Sequence, residues 1–315
     1  MARAKRVKGI NCNSVASIGI KLVLVTRFEE LYGFQETALD WSDPEGVHSM
    51  RVASRRLRSA LRDFMPYLRK RGVNSVQKRL KNLAGALGEV RDHDVALIAL
   101  EEIEKRAPAD VSLVLKQFID TRKEHREQAR EQLKAVLDKA QLDQLQADFV
   151  AAVDSATSTK GSQPAPQITY LKMSRAVILD RLKELEKLST DLFKPFEVET
   201  LHDMRIAAKR LRYAVELFQR CLGRSISTYA KRAARVQTAL GDLHDCDVWI
   251  ESFGNAINEA RLQKQDAQVA AYVWLLGHFV KLRTKHLRRA FAEWSKWEAQ
   301  DLSGKLRELL RNKSS

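Results

Sequence analysis

His48–Phe64 reads HSMRVASRRLRSALRDF, and His202–Phe218, 154 residues further on, reads HDMRIAAKRLRYAVELF. Most positions are identical or chemically similar, so the two stretches are copies. Each has helical periodicity. At about 100° per residue, Ala53, Leu57, Ala60, Leu61 and Phe64 share one side of the first copy, and Met204, Ala207, Leu211, Ala214 and Phe218 the same side of the second. Asp43, Pro44 and Glu45 make a good helix start, with an N-cap, a proline at the first helical position and an early acid. Pro66 ends or kinks the helix.

The repeat extends beyond these helices. Ala86–Val95, ALGEVRDHDV, matches Ala239–Val248, ALGDLHDCDV, at a shift of 153. A weaker match at a shift of 161 sets Leu115, Ile119, Arg122, His125 and Ala129 beside Leu276, Val280, Arg283, His286 and Ala290. Between the copies, 154–167 reads DSATSTKGSQPAPQ, a linker by its Ser, Thr, Gly and Pro content. The reading is a single domain, 15–312, built of two halves, 15–153 and 168–312, behind a basic N-terminal arm, 1–14, of which Met1–Lys8 is expected to be mobile. About four helices are expected per half. One precedes the histidine motif, one carries it, one bears the ALG motif, and a long one closes the half. The expected fold is all-α, with two four-helix bundles related by an internal pseudo-twofold. Only 13 Gly and 6 Pro in 315 residues, about half the usual share, agree with a helical chain.

A net charge of +15 points to a polyanionic partner: nucleic acid, an anionic membrane surface or a phosphate polymer. No apolar run approaches the length of a membrane span. Ile18–Val25 is short and interrupted by Lys21, and no small-residue cleavage site follows it. Three cysteines, Cys12, Cys221 and Cys246, without CxxC spacing suggest neither a disulfide framework nor a zinc site, so a reducing, cytoplasmic setting is expected.

The polar faces of the repeated helices carry the chemistry. Arg51, Arg55, Arg58 and Arg62 lie within roughly 80° of His48 on one side, an unbroken cationic stripe about 16 Å long. His202, Arg205, Lys209 and Arg212 repeat it, and Glu216 stands where Arg62 stood. Like charges three and four residues apart repel by a few tenths of a kcal/mol per pair, so such a stripe costs stability unless an anion sits on it. Arginine offers phosphate a fork of donors, and lysine a compact charge. In the last helix of each half, Arg122 and Arg126, and Arg283 between Val280 and Leu287, interrupt an apolar face. Inward guanidinium groups must pair with acids or line a wet channel. Asp92, Asp94, Asp245 and Asp247 are candidate partners for them, rather than metal ligands. HExxH, EF-hand, P-loop and GxGxxG patterns are all missing from the sequence. Glu102, Glu104 and Arg106 give an imperfect ExExK within a helical stretch, which does not support a triphosphatase site.

Through His48-x-x-Arg-Val-x-x-Arg-Arg-Leu-Arg, its partner from His202, and the motifs LGEVRDHDV and LGDLHDCDV, the chain resembles the CHAD family, the conserved histidine α-helical domain. The resemblance implies a basic central groove or pore between two four-helix bundles, binding of inorganic polyphosphate, and association with polyphosphate granules. Carried over residue by residue, it implies His48, Arg51, Arg55 and Arg58 with His202, Arg205, Lys209 and Arg212 as the lining. Arg56 and Arg210 match the motif but sit about 80° round from the histidine. Arg62, Arg122, Arg126 and Arg283 complete the candidate set. His244 in place of Arg91, and Asp203 in place of Ser49, set the second copy apart. The expectation is a non-catalytic polyphosphate-binding protein without cofactor or metal. RNA or DNA binding is the alternative, and a phosphohydrolase ranks below both.

Overall fold

A computed structural model describes residues 4–69, 72–158 and 167–312. Among these residues the chain is all-α, without a strand, and one isolated antiparallel bridge joins Val15 to Thr169. Residues 159–166, most of the stretch read as a linker, and 1–3 of the arm lie outside the described residues.

The first repeat comprises α1 (Ala16–Tyr32), a single turn α2 (Gln35–Ala38), α3 (Pro44–Phe64), α4 (Val73–Glu104), α5 (Ala109–Val136) and α6 (Lys139–Thr157). The second comprises α7 (Tyr170–Ser189), α8 (Val198–Leu222), α9 (Ser227–Leu262), α10 (Asp266–Ala299) and α11 (Leu302–Asn312). Each repeat thus has the four anticipated long helices and a closing helix, α6 or α11, that the sequence reading did not separate from its predecessor. Asp138 caps α6, its carboxylate accepting from the Gln141 amide at 3.1 Å. The helix runs past the expected boundary at 153 because Ala156 and Thr157 are buried and the Thr157 hydroxyl donates to the Val153 carbonyl.

The chain divides into two compact units, Met1–Lys105 with Gln117–Met173, and Arg106–Lys116 with Ser174–Ser315. In the first, α3 packs on α1, α2 and α4, and α6 on α1 and α4. All five positions read as the inner face of α3 are buried, from Ala53 to Phe64. Gly46 is obligatory at the α2–α3 crossing, since a Cβ there would lie 1.8 Å from the Thr37 carbonyl oxygen. The described part of the arm is anchored rather than free. The Lys5 carbonyl accepts from Arg27, Lys5 Nζ reaches Glu29 at 2.9 Å, and Val7 is buried. In the second unit α9 packs on α8 and α10, and α11 on α10. Met204, Ala207, Leu211, Ala214 and Phe218 are fully buried, as their periodicity required.

One expectation is corrected. Val280 is 46% exposed; Phe279, one residue earlier, takes the inward place by stacking on Trp249 and Phe253. A large aromatic surface outweighs an isopropyl group for that position. Cys246 is a free buried thiol whose pKa burial pushes up to about 12. No helix among the described residues is long and apolar enough to cross a membrane.

Candidate functional site

In the first repeat Asp43 caps α3, accepting from the Glu45 amide at 2.9 Å, and so sets the register that places His48 in the second turn. The next helix brings its ALG motif to the stripe. Gly88 on α4 lies beside the Arg51 side chain, and Arg51 Nη2 reaches Asp92 Oδ1 at 3.3 Å. With the Asp92 side chain 73% exposed, that pair is worth at most about 1 kcal/mol. Arg55 and Arg58 have no acidic partner among the described residues. Crowding by neighbouring atoms lowers the pKa of Arg58 from its ordinary value. His48 is held below the ordinary histidine range, first by burial and then by the charge of Arg91 on α4. Its Nδ1 is buried without a hydrogen-bond partner. Arg62 turns to its own helix, donating to Ser59 Oγ at 2.9 Å.

The second repeat reproduces this arrangement with changes. Gly241 lies beside Arg205 as Gly88 lies beside Arg51. Where His48 faces Arg91, His202 faces His244, their Nδ1 atoms 3.2 Å apart and ring centroids 4.2 Å apart. Burial, then the charges of Arg205, His244 and Lys209, push the His202 pKa down to about 4. Arg212 is engaged within the protein. Its Nε donates to Glu216 at 2.7 Å, its Nη1 to Gln237 at 3.3 Å, and its guanidinium covers the Tyr213 ring.

Other candidates are tied into ion pairs. Arg56 donates to Glu30 at 3.0 Å, and Glu30 also accepts from Arg27. In the second repeat Arg210 and Arg181 share Glu184. The two triads, 27–30–56 and 181–184–210, are related by the same shift of 154 as the histidine motifs. They bind the motif helices α3 and α8 to α1 and α7. The inward arginines of the long helices also meet acids. Arg283 Nε donates to Asp247 at 2.5 Å and its Nη2 to the Pro195 carbonyl at 2.6 Å. Arg126 Nη1 lies 3.9 Å from the buried Asp94, with Glu127 nearer, while Arg122 lies over the Phe118 ring. Burial lowers the pKa of Arg122.

The sequence reading did not assign Arg91, His244, Glu30 or Glu184. The shift of 153 had already aligned Arg91 with His244, and a shift of 154 applied to α1 would have paired Arg27 and Glu30 with Arg181 and Glu184. Among the described residues no group of three His, Cys, Asp or Glu side chains is placed to hold a metal ion.

An α-helical repeat carrying paired histidine–arginine stripes defines a CHAD domain, and residues 24–254 match that family. The chain belongs to it. The crystal structure of the CHAD domain from the plant Ricinus communis is similar over 93% of this chain and 95% of that one, with 25% identity and a TM-score of 0.69. PptA from Streptomyces chartreusis shares the fold at 13% identity, over 90% of this chain and 100% of its own, with a TM-score of 0.68. No curated protein matches the chain.

Proposed function

We propose that this protein binds inorganic polyphosphate without transforming it, through the cationic faces of α3 and α8, and that it associates with polyphosphate granules. One observation carries the reading. The stripe occurs twice at one register, and at its centre Arg55 and Arg58 present charge without an acid among the described residues to neutralise it. Family membership supports the same ligand. His48, Arg51, Arg55 and Arg58 form the first contact set, and His202, Arg205 and Lys209 the second. The ion-paired Arg56, Arg210 and Arg283 hold the helices in place. Arg212, already paired, and Arg62 lie one helical turn beyond the contact sets, and Arg122 and Arg126 lie apart from them in sequence, on α5.

A single-stranded nucleic acid would want exposed aromatic faces beside the cations. The one aromatic interleaved with either stripe, Tyr213, is buried beneath Arg212. This favours a ligand without bases. The test is a titration of labelled long-chain polyphosphate near physiological salt, challenged with single-stranded RNA, duplex DNA and short phosphates. Displacement by unlabelled long polyphosphate alone, with no orthophosphate released in the presence of divalent metal, is expected. Equal competition by RNA would reassign the site to nucleic acid, and orthophosphate release would make the protein an enzyme.

A further inference from the structure

Of the differences between the two cationic clusters, the one between Arg91 and His244 changes whether the position titrates. Arg91 on α4 is always charged. His244, its counterpart on α9, carries charge only when protonated. Arg205 Nη2, which can only donate, and His244 Nδ1 lie 3.4 Å and 3.2 Å from His202 Nδ1. That nitrogen is therefore the acceptor, and the His202 proton sits on Nε2. Protonation of His202 at Nδ1 would put two Nδ1–H groups face to face beside a guanidinium. Every charge facing the pair bears on this. Arg205 and Lys209 on α8 oppose protonation and Asp203 favours it; on α9 Asp247 favours it, but Arg283 of α10 already holds that carboxylate. The same two cations make the pair a poor seat for a metal ion.

An anionic oxygen entering between the rings reverses the balance, because both Nδ1 atoms then donate to it and the repulsion becomes attraction. We propose that the His202–His244 pair makes the second repeat's grip on phosphate proton-linked, whereas Arg91 leaves the corresponding position of the first repeat permanently charged. The inference rests on the polyphosphate reading and adds its regulation: ligand binding takes up a proton at α8–α9, and the protein holds polyphosphate more tightly as pH falls.

The experiment measures affinity for long-chain inorganic polyphosphate from pH 8 to 5.5 at constant ionic strength, for the wild type, His244→Arg and Arg91→His. In a long chain nearly every phosphate is an interior one, whose proton is already lost across this range. One linked proton changes affinity by up to about tenfold per pH unit. His244→Arg is expected to bind more tightly at pH 8 and with a shallower pH dependence than the wild type, and Arg91→His with a steeper one. His48 keeps its surroundings in His244→Arg and cancels in that comparison, whereas Arg91→His also removes the charge beside His48 and so makes the first repeat titrate as a histidine pair. Imidazole NMR of the wild type gives an independent readout, in which polyphosphate is expected to raise the titration midpoints of His202 and His244. Identical pH slopes in the three proteins, or unmoved imidazole midpoints, would overturn this inference while leaving the proposed function standing. Absence of polyphosphate binding at every pH would overturn both.

Discussion

Reversing the charge at the centre of the α3 stripe, with Arg55→Glu and Arg58→Glu together, separates ligand binding from stability. A guanidinium about 4 Å from a phosphate in well-solvated surroundings gains about 1 kcal/mol, and reversing its sign changes that by about 2 kcal/mol. Two reversals therefore cost about 4 kcal/mol, a loss of about a thousandfold in affinity for polyphosphate. By analogy with nucleic acids, the slope of log affinity against log salt should shrink by about 1.4 to 1.8 as two phosphate contacts disappear. Stability should move the other way. Neither arginine has an acidic partner to orphan, and repulsion with Arg51 and Arg62 is relieved by a few tenths of a kcal/mol per pair. Fluorescence anisotropy with labelled polyphosphate at four salt concentrations, beside thermal unfolding of the free protein, reads both quantities. A folded double variant with wild-type affinity and salt slope would refute the placement of the ligand on α3.

Other consequences are structural. Glu30→Gln strips the carboxylate from between Arg27 and Arg56, where its side chain is 5% exposed, and should cost about 3–5 kcal/mol in a denaturant titration. A loss under 1 kcal/mol would show that the triad is not holding α3 to α1. Gly46→Ala drives a Cβ into the Thr37 carbonyl and should cost at least about 1–3 kcal/mol; an unchanged melting temperature would contradict the close α2–α3 crossing. In the ligand-free protein the depressed His202 means that the unfolded chain binds more protons than the native one below about pH 6.5. Stability is then full above that pH and falls as pH drops toward about 4, so the urea midpoint should decline over this window, and less so in His202→Gln.

How far the molecule was legible in its sequence varies with the range of the interaction. The inner faces of α3 and α8 were readable because burial follows the helical period, and a repeated period leaves little room for another register. The split of each closing segment into two helices was not, because it depends on an aspartate that accepts from the next helix's backbone, Asp138 before α6 and Asp301 before α11, inside an otherwise continuous helical pattern. The weak third match failed at Val280 for a related reason. Alignment by identity placed a valine inward, while packing preferred Phe279, which the adjacent aromatic rings could cover. At the site, the stripes were legible as local periodicity. The acids that claim Arg56, Arg210 and Arg283 lie 26 to 36 residues away in sequence. The histidine pair lies 42 residues apart. These contacts depend on how helices cross, which a one-helix projection does not contain. The repeat could have supplied them, since Glu30 and Glu184 obey the same shift as the motifs they support.

The most direct test of where the ligand sits is chemical footprinting of arginine. The free protein and its mixture with long-chain polyphosphate are treated with a dicarbonyl reagent, and each arginine is followed by mass spectrometry. Protection of Arg51, Arg55, Arg58 and Arg205 is expected, with the exposed Arg106 and Arg261 unchanged. Protection at Arg106 and Arg261 with continued modification of Arg55 and Arg58 would contradict the assignment of the repeated stripes as the polyphosphate site.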